Sequence, residues 1–196
     1  MHLAFDIFQG IGVAAAVGIR PFLPALIVGG LAAGDVEIHF TRTDFSFLQS
    51  TPFLLALVVL AGLLVLAERR LSSELLASRP AVTVLALAAA ALGALLFAGS
   101  LARGGYVSWP GLIGGVLCVA IGILATRPLF SRVRARLDRA SAAAVPLYAE
   151  AVALLLAALS VLAPPVGPIA VALLLWLLVA GRRREGQKYA GLRILR

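Results

Sequence analysis

The chain has 196 residues, 62% of them hydrophobic, a mean hydropathy of +1.04 and a formal charge of +8. In a soluble domain that charge would point to nucleic acid, but here the bases sit at the ends of apolar runs, where they set membrane topology. Nucleic-acid binding is therefore set aside. The single cysteine, Cys118, excludes an internal disulfide and a cysteine metal cluster.

Apolar runs long enough to cross a bilayer occur several times, and they are rich in Leu, Ala and Val without strict alternation. Every backbone polar group in lipid must be satisfied within the protein, so such runs suit helices rather than a barrel. The reading is an all-α membrane protein, a compact bundle of about six transmembrane segments in one domain over residues 1–181. Ala14, Ala15 and Ala16 look like a signal-peptide cleavage region, but no Lys or Arg precedes them and Asp6 does, so the segment is kept in the mature protein.

In chain order the segments are 8–34, 52–67, 81–102, 110–126, 145–163 and 166–181. The first is interrupted by Gly18-Ile-Arg20-Pro21-Phe-Leu-Pro24. The 13 uncharged residues before Arg20 and the 14 after it each reach roughly 20 Å as helix, against about 30 Å of hydrocarbon. Neither half spans alone. Two prolines remove backbone donors and Gly18 tolerates unusual dihedrals, so the helix breaks at Arg20-Pro21. An arginine at mid-membrane costs about 2.5 to 3.5 kcal/mol and normally faces a partner or a wet cavity. Arg20 is the candidate functional residue.

Between the first two segments, Asp35, Glu37, His39 and Asp44 share a loop with Val36, Ile38 and Phe40 on the alternate face. Asp35-x-Glu37-x-His39 places three ligand types together, but so short a triplet fits a solvated, half-buried loop better than a metal site. No metal or other cofactor is expected. Phe45, Phe47 and Phe53, with Tyr106 and Trp109, suit interface anchors. Small residues at spacing four (Gly30 and Gly34, Gly111 and Gly115, the alanines at 86, 90, 94 and 98) suit close helix packing, with a homo-oligomer interface as the other use. Pro164-Pro165 marks a tight hairpin between the last two segments.

Of the 17 Lys and Arg residues, 14 fall in the 68–80 loop, the 127–141 loop and the C-terminal tail. By the positive-inside rule these are cytoplasmic, with residues 182–196 forming a basic cytoplasmic tail. The first segment leaves two readings. If it crosses, the N-terminus joins the basic side; if it is a re-entrant hairpin, the N-terminus lies outside and every later loop keeps its side.

A possible inverted repeat divides the chain at 1–103 and 104–181. Gly10 to Arg20-Pro21 parallels Gly115 to Arg127-Pro128, and each half carries a later acid, Glu68 or Glu150. Broken helices in both halves point to a transporter, with its site at the repeat interface. Arg79-Pro80, by contrast, simply starts a helix.

The Gly18-x-Arg20-Pro21-Phe-Leu-Pro24 opening, the Leu66-Ala67-Glu68 and Ala125-Thr126-Arg127-Pro128 helix ends and the later Glu150 resemble a family of small bacterial integral membrane proteins designated only a domain of unknown function. The resemblance extends to about residue 181 and implies a bacterial inner-membrane location, with no known substrate. Arg69-Arg70 stands here where a second acid is found in related sequences.

Arg20 offers five donors to a carboxylate or a phosphate, and helix amides starting at Pro21 would add a positive dipole. The substrate-binding set is accordingly Arg20, Pro21, Gly18, Glu68, Arg127 and Glu150. The primary reading is a transporter or channel for a small anion or an anionic lipid headgroup, with Glu68 or Glu150 as the resting partner of Arg20 and Glu150 as a proton carrier. The alternative is a non-transporting accessory protein that binds anionic lipids or a partner through its basic face. His2 and His39 are the only histidines, and no nucleophile elbow, HExxH or aspartyl pair is present, so no enzyme is expected.

Overall fold

The computed structural model describes residues 2–70, 75 and 78–190. Among them are seven α-helices, one short 3₁₀ turn and no strand. The helices are α1 (His2–Ile19), α2 (Phe22–Ala33), α3 (Thr51–Arg70), α4 (Arg79–Arg103), α5 (Trp109–Arg134), α6 (Arg139–Leu162) and α7 (Val166–Ala190), with the 3₁₀ turn at Ser46–Gln49. By length and composition, α3, α4, α5 and the 144–162 part of α6 can cross a membrane, and α1, α2 and the apolar part of α7 are shorter. The protein is an all-helical integral membrane protein.

The six apolar segments of the sequence map onto these helices, with the first split in two. The Arg20 amide closes the last turn of α1 on the Ala16 carbonyl at 3.1 Å. Pro21 cannot continue that ladder, and Pro21 and Pro24 sit in the opening turn of α2, where a missing N–H costs nothing. The two pieces form a hairpin. Arg103, at the end of α4, donates both to Asp6 near the start of α1 and to the Glu37 carbonyl just after α2. The chain thus enters and leaves this first segment at one end of the bundle, as the re-entrant reading has it.

Helix α1 is the centre of the bundle, in contact with α2, α4, α5, α6 and α7. Val13, Ala14, Ala15, Ala16 and Val17 are all fully buried. Close approach is bought by absent side chains: a Cβ on Gly18 would lie 2.5 Å from the Val119 carbonyl oxygen of α5, and one on Gly167 of α7 2.9 Å from the Gly12 amide nitrogen. The Gly111 and Gly115 pair likewise lets α5 lie against Ala98 and Ala94 of α4. Gly30 has nothing within 4 Å, so the Gly30 and Gly34 pair makes no such contact. By contrast α3 is peripheral, packed on α2 and the 3₁₀ turn, with only Leu57 and Ala61 buried.

The inverted repeat is not supported. Along α4, Arg103 meets Asp6, Phe97 meets Gly10 and Gly93 meets Ala14, so α1 runs antiparallel to α4. Ala98 meets Gly111 and Ala94 meets Gly115, so α5 also runs antiparallel to α4. Consequently α1 and α5 run the same way, whereas an inverted pair must run oppositely. Nor is α5 broken at Arg127-Pro128: it continues through Pro128 to Arg134. The tail also differs from its sequence boundary, because α7 carries on to Ala190; residues 191–196 lie outside the described residues.

The loop and turn regions at 35–50 and 104–108 lie at one end of the bundle, called here the loop end. Arg69, Arg70, Arg79, Arg132, Arg134 and Arg182 lie at the other, the basic end.

Candidate functional site

The hairpin turn presents Arg20 to two acids from different helices. Its Nη1 lies 2.5 Å from Glu68 Oε1 in the last turn of α3, and Nη2 lies 3.5 Å from Oε2 of the same carboxylate. Its Nε lies 3.6 Å from Glu150 Oε1 of α6. Arg20 and Glu150 side chains are each 12% exposed and Glu68 24%. Glu150 Oε2 is buried without a hydrogen-bond partner. One guanidinium therefore faces two carboxylates, and one carboxylate oxygen is unsatisfied where desolvation is costly.

Local sequence explains each placement. Gly18 lets the end of α1 close onto α5, Pro21 is buried and turns the chain, and α2 starts at Phe22 with no side-chain cap on its first amides. Glu68 is the last residue before Arg69 and Arg70, which are exposed at the helix end. Gly122 packs on Gly18, and Arg127 is five residues further toward the basic end, so Arg20 lies roughly one helical turn short of Arg127. The guanidinium is accordingly near the basic end of the apolar layer, not at its middle. The reason is the length of α1, whose 18 residues carry the turn past the centre of the bundle.

Of the residues selected from sequence, the structure brings together Arg20, Glu68 and Glu150, with Gly18 and Pro21 shaping the turn. Arg127 is not among them. It is exposed and makes no ion pair among the described residues, because α5 stays helical through Pro128 and turns Arg127 outward.

A second charged cluster was not foreseen. Arg103 Nη2 donates to Asp6 Oδ1 at 2.6 Å, and Nη1 donates to the Glu37 carbonyl oxygen. The Asp6 side chain is 3% exposed, and Gln9, one turn on, is buried with Oε1 unpartnered. A helical period places Asp6, Gln9 and Arg20 on one stripe of α1, which was the available signal.

In the loop after α2, Ile38 and Phe40 are fully buried while Val36 is exposed. His39 Nδ1 pairs with Asp35 Oδ1 at 3.5 Å on the surface. No group of three His, Cys, Asp or Glu side chains placed to hold a metal occurs among the described residues. The phenyl rings of Phe47 and Phe53 meet edge to face at 5.7 Å.

Residues 7–184 match a family designated a domain of unknown function, DUF4126. The chain belongs to the DUF4126 family. The match takes in Arg20, Glu68, Glu150, Gln9 and Arg103 and begins one residue after Asp6. No curated protein and no solved structure matches the chain.

Proposed function

We propose that this DUF4126 protein is a transporter or channel for a small anion or an anionic lipid headgroup, with Arg20 as the binding residue and Glu68 and Glu150 as its resting partners. The observation that carries this reading is the unbalanced triad. A purely structural role for a buried arginine needs one acid, and that pair alone meets the need for a partner in an apolar layer. The second acid, with one oxygen unsatisfied, supplies a site where a proton or an incoming anion changes which group holds the guanidinium. Protonation of Glu150 would leave Arg20 with one carboxylate and a free face for a substrate oxygen. Arg20 and Pro21 immediately precede α2, whose first amides carry no side-chain cap and whose dipole favours an anion. The arginine distribution favours a cytoplasmic basic end, and the family resemblance a bacterial inner membrane.

The test is thermal unfolding of purified wild type and Arg20→Gln in detergent across phosphates, carboxylates, halides and anionic lipids. A ligand specific to the folded state stabilises it by about 2.7 kcal/mol at one hundred times its dissociation constant. The expected result is stabilisation of wild type by one anion class, lost in Arg20→Gln. No shift with any anion, together with a badly destabilised Arg20→Gln, would make Arg20 structural.

A second reading, an accessory protein that binds anionic lipid through its basic face, is favoured by a groove of about 500 Å³ between α5 and α6. Leu129, Phe130, Val133, Ala144 and Val145 line it, and Arg134 and Arg136 are exposed on the same stretch of chain. Stabilisation by anionic lipid that persists in Arg20→Gln would favour this reading.

A further inference from the structure

The proposed anion site uses one end of α1 and leaves the charged cluster at the other end without a role. Asp6, Gln9, Val13, Ala16 and Arg20 follow one another along a single stripe of α1, where Val13 and Ala16 form a fully buried apolar block between the two polar ends. At the loop end Arg103 joins Asp6 of this stripe to residues 35–40 through the Glu37 carbonyl. Ile38 and Phe40 are fully buried, the Phe40 ring lies where a Cβ on Gly99 of α4 would meet it, and the Phe40 amide donates to Gln49 Oε1 at 2.7 Å.

This segment is strained; burial of Ile38 and Phe40 and the bond to Gln49 hold it to the bundle, and Arg103 ties it to α1. Asp35 and Glu37 have φ of 55° and 56°, in the left-handed region that suits glycine. Between the two strained residues and the rest of the bundle stands Arg103, whose guanidinium holds the Glu37 carbonyl with one nitrogen and Asp6 with the other. One turn along α1 from Asp6, the buried Gln9 Oε1 has no partner, so access to water would supply the hydrogen bond that it lacks.

We propose that residues 35–40 are a lid over the loop end of the α1 stripe, latched by Arg103, and that Asp6 and Gln9 beneath it are the first polar groups a solute meets on its way to Arg20. The route to Arg20 rests on the transport reading; the latch does not, and it is measured without any solute. Release of Arg103 frees the strained segment, and Ile38 and Phe40 leave the bundle with it. The apolar block at Val13 and Ala16 keeps the two ends separate while the lid opens.

The experiment places one cysteine under the lid, Gln9→Cys in a Cys118→Ser background, and measures its rate of modification by a membrane-impermeant maleimide in proteoliposomes. The comparison is among intact Arg103, Arg103→Gln and Arg103→Lys. Loss of a charged hydrogen bond predicts modification about tenfold faster or more in Arg103→Gln, with partial return toward the parent rate in Arg103→Lys. A folded Arg103→Gln protein labelled at the parent rate would overturn the proposal. Hydrogen exchange on the wild-type protein decides the matter if Arg103→Gln does not fold. The Phe40 amide should exchange about tenfold faster or more than the amides of the buried middle of α4. Protection of Phe40 equal to that of α4 would overturn the lid, whatever the transport assays show.

Discussion

The two ends of α1 carry the same chemistry in opposite balance. At the loop end one acid, Asp6, meets one base, Arg103, and a backbone carbonyl accepts from the other terminal nitrogen. At the basic end one base, Arg20, meets two acids, and Glu150 keeps a buried oxygen without a partner. A pair balanced in charge closes a structure; an unbalanced one leaves a charge that a proton, an anion or a change of partner can alter. The proposed latch and the proposed exchange site thus lie at opposite ends of a single helix.

The sharpest way to break the comparison is Arg20→Gln, which leaves Glu68 and Glu150 facing each other without a cation. Removing one member of a buried pair costs about 3 to 5 kcal/mol, read as a loss of stability in detergent unfolding. At the opposite end, Asp6→Asn removes the charge but keeps the shape, and a charge-assisted hydrogen bond predicts a loss of about 1.5 to 3 kcal/mol. The next step down is Glu68→Gln. Because Glu68 is the more exposed acid and Arg20 retains Glu150, about 1 kcal/mol or less is expected, and α3, which is otherwise held by few buried residues, should become the first helix cleaved by limited proteolysis.

Glu150→Gln should cost less than Glu68→Gln, since it has one contact at 3.6 Å and an oxygen with no partner to lose. A larger loss for Glu150→Gln than for Glu68→Gln would mean that Glu150, and not Glu68, is the main resting partner. Arg127→Gln is the smallest effect, within about 0.5 kcal/mol, because the side chain is exposed and unpaired among the described residues. A large effect there would return Arg127 to the site.

How legible the protein was in its sequence depends on the range of the information needed. The break at Arg20-Pro21 was legible because a missing amide and a fixed φ act within one turn. The two acids were legible as candidates because Glu150 lies inside an apolar run and Glu68 stands at the end of one. Arg103 was not, since a base at the edge of an apolar run is where topology would put one anyway; only its bond to Asp6, 97 residues away, gives it a second meaning. The match between Arg20-Pro21 and Arg127-Pro128 misled for a related reason. A proline ends a helix when its turn has somewhere else to go, and in α5 the chain has none, with Arg132 Nε bonding the Pro128 carbonyl at 3.0 Å as the helix continues.

By itself the sequence determined that this is an all-helical membrane protein of about six apolar segments, the first one broken, with its bases gathered at one end. Those properties follow from hydropathy, proline and charge, which act over one helix or one loop. Tertiary structure alone decided that the broken segment is a hairpin, that α1 and α5 run the same way, and that Arg20 is shared by acids 48 and 130 positions distant. Those facts depend on which glycine faces lie together and which charges must find partners once water is gone, and both are settled only when the helices pack.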